Sequence, residues 1–159
     1  MAAEVKTLAM RVLDQQEIPY EVLRFSEEIH DGVGVAQATG TDPSHVYKTL
    51  VVEDAAGGRR TFLMMIPAES ELVLKKTAAA LQRKKIRMAS LKDAEKRTGL
   101  KAGGISALAL LNRGFDIYLA NQAAELEWIV ISAGKRGINL RLSVADLMKI
   151  TGAAWLDCC

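Results

Sequence analysis

The stretch VYKTLVVEDAAGGRRTFLMMI, residues 46–66, carries the strongest fold signal in the chain. It contains two apolar runs, Val46–Val52 and Thr61–Ile66, on either side of Ala55-Ala56-Gly57-Gly58. Apolar segments of strand length joined by a short glycine-containing link are typical of a β-hairpin. The stretch therefore predicts two paired strands, with Lys48 as a charge that interrupts the first.

Helical patterns lie on both sides of this hairpin. Apolar residues recur at helical spacing from Val5 to Leu13, and Leu72–Leu81 also predicts a helix. Ser90 and Ser143 each begin a Ser-x-x-Asp pattern that resembles a capping box and predicts a helix after it. Before the hairpin, Asp31–Gly34 predicts a loop that leads into a short apolar stretch ending at Gly40.

Further strands are predicted along the rest of the chain. They are Tyr20–Phe25, Ile86–Ala89, Ile117–Ala120, Leu126–Ser132, which should end at Ala133-Gly134, and Ile138–Leu142. Strands and helices are interspersed, with several hairpin-like links, which favours a mixed α/β domain over a doubly wound parallel sheet. The 159 residues contain no repeat or linker, so residues 1–159 are expected to form one domain.

The composition, with 50% hydrophobic and 25% charged residues, is typical of a globular protein. A net charge of +2 does not by itself indicate nucleic-acid binding, so the positions of the cations matter. Basic residues cluster at Lys75-Lys76, at Arg83-Lys84-Lys85 with Arg87, and at Lys96-Arg97. Each cluster fits a solvated helix face, and together they could form a track for a phosphate backbone.

The ends of the chain bear on its location. The N-terminus lacks the apolar run of a signal peptide, and no segment approaches the roughly 20 apolar residues that span a bilayer, so a cytoplasmic protein without a membrane partner is expected. Cys158 and Cys159 are adjacent at the C-terminus. They predict exposed thiols on a frayed tail rather than a disulfide framework or a zinc site.

Few conventional catalytic groups are present. The sequence has no nucleophile elbow, phosphate-binding loop or metal-ligand cluster, so no metal or cofactor is expected. His30 and His45 are the only histidines. His45 follows a turn and fits a surface residue, whereas His30, beside a glycine loop, is a slightly better candidate for a site.

Three segments each combine small residues with a polar group near a strand end. In Val46–Leu50, Lys48 faces either solvent or a pocket. In Ala102–Ala107, two glycines let the backbone approach a ligand and offer N–H groups, although a plain loop has the same composition. In Ser132–Gly137, two adjacent cations framed by glycines suit phosphate contact or an exposed turn.

In their order and spacing, these three segments resemble the YbaK/EbsC family of bacterial Cys-tRNA(Pro) deacylases. This family is related to the editing domain inserted in bacterial prolyl-tRNA synthetases. The resemblance extends from about Val5 to Trp155. It implies a compact α/β fold with a mixed, strongly curved sheet flanked by helices, and a cleft for the aminoacylated terminal adenosine of tRNA.

The resemblance also assigns roles to residues. It implies that Lys48 is the catalytic residue, which orients the terminal nucleotide and the ester, and that the glycine loop supplies backbone donors around the carbonyl. The implied substrate-binding residues are Phe25, Tyr47, Thr49, Gly103, Gly104, Ile105, Ser106, Ser132, Gly134, Lys135, Arg136 and Asn139. In cysteine-specific members the thiol of the substrate attacks its own ester. The implied partners are the acceptor 3′ end of aminoacyl-tRNA and, as a further candidate, prolyl-tRNA synthetase; DNA is not expected.

Three positions depart from the family pattern. Ala107 stands where the glycine-loop motif usually has proline, and Ala120 and Asn139 stand where aspartates are common. The leading hypothesis is a free-standing deacylase for Cys-tRNA(Pro). A deacylase for alanine or another small amino acid, a non-catalytic module that binds tRNA or a synthetase, and a binder of a free nucleotide or metabolite remain alternatives.

Overall fold

The computed structural model describes residues 6–159, and the following helices and strands all lie within that range. Its α-helices are α1 (Leu8–Gln15), α2 (Gly32–Thr39), α3 (Leu74–Ala80), α4 (Leu91–Thr98) and α5 (Val144–Thr151). Its strands are β1 (Glu21–Arg24), β2 (Tyr47–Asp54), β3 (Thr61–Pro67), β4 (Ile86–Met88), β5 (Asp116–Ala120), β6 (Trp128–Lys135), β7 (Ile138–Ser143) and β8 (Ala154–Leu156). The helix predicted from Val5 begins at Leu8, and Val5 itself lies outside the described residues.

The predicted hairpin is confirmed, and it forms the centre of the larger sheet. β2 and β3 pair antiparallel, with Lys48 opposite Ile66. The strand order of this sheet is β4-β2-β3-β5-β8, in which β3–β5 and β5–β8 are parallel pairs. A smaller antiparallel sheet has the order β1-β7-β6. The mixed α/β class is therefore confirmed, although the strands divide into two sheets, which meet at a bridge between Val46 and Val130.

The two predicted capping patterns begin helices as expected. The Ser90 hydroxyl accepts a hydrogen bond from the Asp93 N–H at 3.1 Å, and the Ser143 hydroxyl accepts one from the Asp146 N–H at 3.2 Å. Each bond satisfies one of the N–H groups that a helix leaves unpaired at its start. α4 ends at Thr98 and is followed by Gly99, which has φ +73° and so adopts the left-handed conformation common after helices.

The loop predicted at Asp31–Gly34 is instead the start of α2. Asp31 caps this helix, and its Oδ1 accepts the Gly34 N–H at 2.7 Å. Gly32 packs so closely on Ala68 that a Cβ at position 32 would overlap the Ala68 side chain. This contact with a residue distant in sequence explains why a glycine begins the helix, and it places the start of α2 beside the start of β2.

The strand predicted to end at Ala133-Gly134 continues to Lys135. Its pairing with β7 shifts between Ser132, opposite Asn139, and Lys135, opposite Ile138, so the two residues between form a bulge. Gly134 has φ +92°, a backbone conformation that side chains disfavour. The Ser132 hydroxyl accepts the Gly134 N–H at 3.1 Å and fixes the bulge locally.

The expectation of a frayed C-terminal tail with exposed thiols is wrong. β8 pairs with β5, and the Cys158 side chain beyond it is buried. The Cys158 carbonyl accepts hydrogen bonds from the Val73 N–H at 2.8 Å and from the Thr77 hydroxyl at 3.2 Å. Burial, with the neighbouring Cys159 thiol as a second cause, raises the pKa of the Cys158 thiol to about 12.

The core explains why β2 can serve a site while β3 cannot. Every residue of β3 is buried, because it lies in the middle of the larger sheet with both faces covered. In β2, by contrast, Lys48, Thr49 and Leu50 are only half-buried. This part of β2 forms one side of an open cleft.

Candidate active site

A cleft of about 230 Å³ lies among β2, the start of α2, α4 and the loop after α4. It is lined by residues 30–32, 46–51 and 102–103, by Ile105, and by side chains from β4, α4 and the β6–β7 pair. A larger hollow of about 670 Å³ lies against α1 and α5, but it contains none of the predicted site residues. The smaller cleft is therefore the candidate site.

Lys48 lies in this cleft on β2, half-buried. Within residues 6–159 its ammonium group has neither a hydrogen bond nor an ion pair. The lining contains one carboxylate, that of Asp31, and it is not within ion-pair distance of Lys48. A partly desolvated ammonium without a protein partner is available to an anionic or carbonyl oxygen of a ligand.

The glycine loop is held between two other parts of the chain. Gly103, with φ +83°, packs on His30, and a Cβ at position 103 would lie 3.3 Å from the His30 Cα. Gly104 packs on the bulged strand, where a Cβ would lie 3.1 Å from the Arg136 backbone nitrogen. Both contacts involve backbone, so side chains at either position would displace the loop.

Hydrogen bonds anchor this loop and decide which of its N–H groups are available. The Ala102 N–H donates to Glu95 Oε2 at 2.9 Å, and the Ala102 carbonyl accepts the Arg136 Nε–H at 2.6 Å. The Gly104 N–H donates to the Lys101 carbonyl at 2.8 Å. The N–H groups of Gly103 and Ile105 have no acceptor within residues 6–159. Among the loop residues that line the cleft, only Gly103 and Ile105 therefore have backbone N–H groups available to a ligand.

Ser132 and Asn139 contribute the β6–β7 side of the cleft, where they are directly opposite each other. Asn139 is buried. Its amide can both donate and accept hydrogen bonds, whereas an ionised aspartate at this position would only accept. Ala107 and Ala120, the other two departures from the family pattern, are buried in the main core and do not line the cleft. Asn139 is thus the one of the three departures that lines the cleft.

Tyr47 and Thr49 also line the cleft. The Tyr47 hydroxyl is buried and has no hydrogen-bond partner within residues 6–159. Burial, with the C-terminal cysteines as lesser causes, raises the pKa of Tyr47 to about 12. Tyr47 therefore remains a neutral phenol near pH 7.

Other predicted site residues lie outside this cleft. Phe25 packs in a small apolar cluster, and Ser106 is buried, with a hydroxyl that has no partner within residues 6–159. Gly104 joins Gly134, Lys135 and Arg136 along a neighbouring groove of about 620 Å³. Because Arg136 uses its Nε–H on the glycine loop, its position in the structure indicates a role in holding that loop.

Two parts of the lining were not predicted from the sequence. Asp31 contributes a carboxylate, and its local signal was the cap it forms before a helix. Met88 and Leu91, which are 41% and 71% exposed, place apolar surface beside the cleft. His30, the histidine that the sequence favours as a site residue, lines both the cleft and the neighbouring groove. His45 lies outside both and stacks on Trp128, with ring centroids 4.0 Å apart.

Among residues 6–159, no group of three or more His, Cys, Asp or Glu side chains is arranged to hold a metal ion. None of the helices in this range is long and apolar enough to cross a membrane.

The family model for the aminoacyl-tRNA editing domain matches residues 26–150, which include most of the two-sheet fold and the whole cleft. The chain therefore belongs to this family. A relative from Enterococcus faecalis (strain ATCC 700802 / V583) is 35% identical over 154 residues, 96% of this chain and 92% of the relative. That relative, EbsC, is named as a candidate Cys-tRNA(Pro)/Cys-tRNA(Cys) deacylase. These matches confirm the family resemblance inferred from the three segments.

Two solved structures have the same fold. The crystal structure of a hypothetical protein, APE2540, matches with a TM-score of 0.85 and 19% identity, covering 95% of this chain and 98% of the other. The crystal structure of a candidate trans-editing enzyme for prolyl tRNA synthetase matches with a TM-score of 0.80 and 20% identity, covering 98% of each chain. At these identities the likeness concerns the fold alone.

Proposed function

We propose that this protein is a free-standing aminoacyl-tRNA deacylase that cleaves the ester of a mischarged amino acid, with Cys-tRNA(Pro) as the leading substrate. The observation that carries the proposal is Lys48, a half-buried ammonium without a partner in residues 6–159, in the cleft of an editing domain. The name of the 35% identical relative supports cysteine as the amino acid. The activity would take place in the cytoplasm, with prolyl-tRNA synthetase as a candidate partner.

The cleft offers groups for binding and polarising an aminoacyl ester. Lys48 would bind an oxygen of the terminal nucleotide or of the ester. The N–H groups of Gly103 and Ile105 would stabilise the negative charge that develops on the ester carbonyl oxygen. Asp31, the one carboxylate of the lining, would receive the amino group of the substrate. Positioning of this kind suits an ester because an ester is already activated toward attack.

A cysteinyl substrate would supply its own nucleophile. The thiol, once deprotonated, attacks the carbonyl carbon of its own ester. The ribose oxygen of tRNA leaves and takes up a proton, which releases tRNA and a cyclic thioester of cysteine that water then opens. This route requires a cleft that binds and orients the substrate, and it requires no nucleophile from the protein.

Two alternatives are favoured by particular observations. Alanine is an alternative because the cleft lining includes apolar side chains such as Val51 and Ile105, and apolar sites distinguish alanine from cysteine only by modest factors. A module that binds tRNA or a synthetase without chemistry is favoured by Asn139, which puts an amide where the family commonly has a carboxylate. The unpartnered Lys48 and the two available loop N–H groups favour the enzyme instead.

The test is deacylation of purified Cys-tRNA(Pro), Ala-tRNA(Pro) and Pro-tRNA(Pro) by the protein and by Lys48→Ala. We expect hydrolysis of Cys-tRNA(Pro) that decreases by a factor of about 10² or more in Lys48→Ala, the usual scale for the loss of one group that stabilises charge. Lys149→Ala is the matched control, because Lys149 is exposed on α5 away from the cleft.

The outcomes separate the hypotheses. Preference for Ala-tRNA(Pro) would retain the enzyme class and change the substrate. Activity that survives Lys48→Ala would show that the site assignment is wrong. Binding of tRNA without turnover of any of the three substrates would favour the non-catalytic module.

A further inference from the structure

The positive charge of the chain is concentrated in one segment. Residues 83–101 contain eight of the 21 basic residues and two of the 19 acidic residues, so this segment carries +6 and the other 140 residues carry −4. The segment runs from the end of α3 through β4 and α4 to the glycine loop. Met88, Leu91 and Ala94 within it line the cleft. The cleft therefore borders a strongly basic segment, although the whole chain is nearly neutral.

Two arginines of this segment are oriented by one buried carboxylate. Glu53, at 5% exposure, lies on β2 opposite Arg87. The Arg87 Nε donates to Glu53 Oε2 at 3.0 Å, and the Arg97 Nε lies 2.8 Å from Oε1. The two arginine side chains remain 65% and 44% exposed. Because one carboxylate neutralises only one of the two cations, a surplus positive charge is held at the surface.

A third arginine is held in the same way by the next residue of β2. The Arg83 Nη1 lies 3.4 Å from Asp54 Oδ2, and its guanidinium lies 5.4 Å from the centre of the Phe62 ring. Three arginines of this one segment are thus oriented by two adjacent carboxylates. Side chains that are already ordered lose less conformational entropy on binding, which favours recognition of a charged ligand.

Lysines without ion pairs accompany these arginines. Lys92 and Lys96 are exposed on α4, and neither has an ion pair within residues 6–159. We define the basic rim as Arg87, Lys92, Lys96 and Arg97, which lie on β4 and α4, the two elements of the segment that line the cleft; Arg83, Lys84 and Lys85 line a separate hollow beside α3.

We propose that the basic rim binds phosphates of the acceptor arm of tRNA while the aminoacylated 3′ end occupies the cleft. This inference rests on the proposed function. Arg87 directly precedes Met88, and Arg97 lies one helical turn beyond Ala94; Met88 and Ala94 line the cleft. RNA whose terminal residue is in the cleft must pass its mouth, where the rim supplies charges for the adjacent phosphates. An acidic protein partner would have no such reason to meet this edge.

The first test is binding of an uncharged RNA hairpin that reproduces the acceptor stem and its single-stranded 3′ end, followed by fluorescence anisotropy. The rim variant is Lys92→Ala/Lys96→Ala, and the control is Arg113→Ala/Lys149→Ala, which removes the same charge from exposed residues outside the rim. Loss of two phosphate contacts should weaken binding about tenfold near 0.1 M salt. A plot of the logarithm of the binding constant against the logarithm of the salt concentration should have a slope smaller in magnitude by about 1.4 to 1.8.

The control variant should change affinity by less than about twofold, because charges remote from the phosphates are screened at this salt concentration. Equal weakening by the two variants, or no binding of RNA by the unaltered protein, would overturn the inference. The four residues make no ion pairs within residues 6–159, so both variants should fold, which circular dichroism can verify.

Deacylation kinetics separate this inference from the proposed function. We expect the rim variant to raise KM for aminoacyl-tRNA about tenfold with kcat nearly unchanged, because its residues do not contact the reacting ester. Deacylation with an unchanged KM would refute the rim and leave the enzyme intact. RNA binding that depends on the rim without any deacylation would support the rim and refute the deacylase.

Discussion

Removing both arginines that contact Glu53 should destabilise the protein by more than the sum of the two single substitutions. The Glu53 side chain is only 6% exposed, and a separate arginine approaches each carboxylate oxygen, at 3.0 and 2.8 Å. In Arg87→Ala or Arg97→Ala, the remaining arginine still compensates the buried charge. In the double variant the carboxylate is left buried without a charged partner.

The magnitudes follow from this difference. Each arginine is more than a third exposed, so solvent screens its interaction and each single substitution should cost only about 1 kcal/mol. Arg97 also donates a hydrogen bond to the Thr61 hydroxyl at 3.2 Å, which makes its loss the larger of the two. A buried carboxylate without its partners costs about 3–5 kcal/mol. The double variant should therefore lose about 1–3 kcal/mol more than the two single variants together.

The measurement is the free energy of unfolding from urea titrations of the four proteins at one pH and salt concentration. Lys96→Ala, which removes an exposed charge beside Arg97 on the same helix, should change this free energy by no more than about 0.5 kcal/mol. If the losses of the single variants add up to that of the double variant within about 0.5 kcal/mol, Glu53 does not depend on the pair and our reasoning is wrong.

Two further predictions concern other residues. Asp31→Asn should keep the cap of α2, because Asn caps helices as well as Asp does. It should lower kcat/KM for aminoacyl-tRNA about tenfold, because it removes the carboxylate of the cleft lining. An unchanged kcat/KM would exclude Asp31 as the partner of the substrate amine. The Cys158 thiol has a pKa of about 12 in the folded protein and about 8.5 in the unfolded chain, so between these values only the unfolded state ionises and stability is lost as pH rises. Between pH 8 and pH 10 the free energy of unfolding should therefore fall by about 2 kcal/mol more in the unaltered protein than in Cys158→Ala. Equal losses in urea titrations of the two proteins would contradict this.

Features that depend on neighbouring residues were predicted correctly from the sequence. The hairpin at 46–66 follows from two apolar runs around a glycine-containing link, and its strands pair as expected. Ser90 and Ser143 begin helices because a serine hydroxyl can reach an N–H three residues later. These signals are contained in a few consecutive residues, so no distant contact is needed to interpret them.

Features that depend on contacts between distant residues were not predictable in the same way. The residue at the start of α2 is glycine because it packs on Ala68, and β6 continues past Ser132 because β7 supplies partners beyond the bulge. The buried Cys158 was expected on a free tail, but its carbonyl bonds to Val73 and Thr77 hold it in place. Apart from the β6–β7 hairpin, these partners are far apart in sequence.

The candidate site shows the same division. The sequence by itself determined the chemical groups, namely Lys48, a glycine pair and a polar residue at position 139, and the order that indicated the family. The tertiary structure decided which of them share a cleft: it added Asp31, left Phe25 half-buried against a small apolar cluster, and buried Ser106. The physical reason is that residue type fixes what a group can do, whereas long-range packing fixes which groups meet and which of their donors and charges remain available to a ligand.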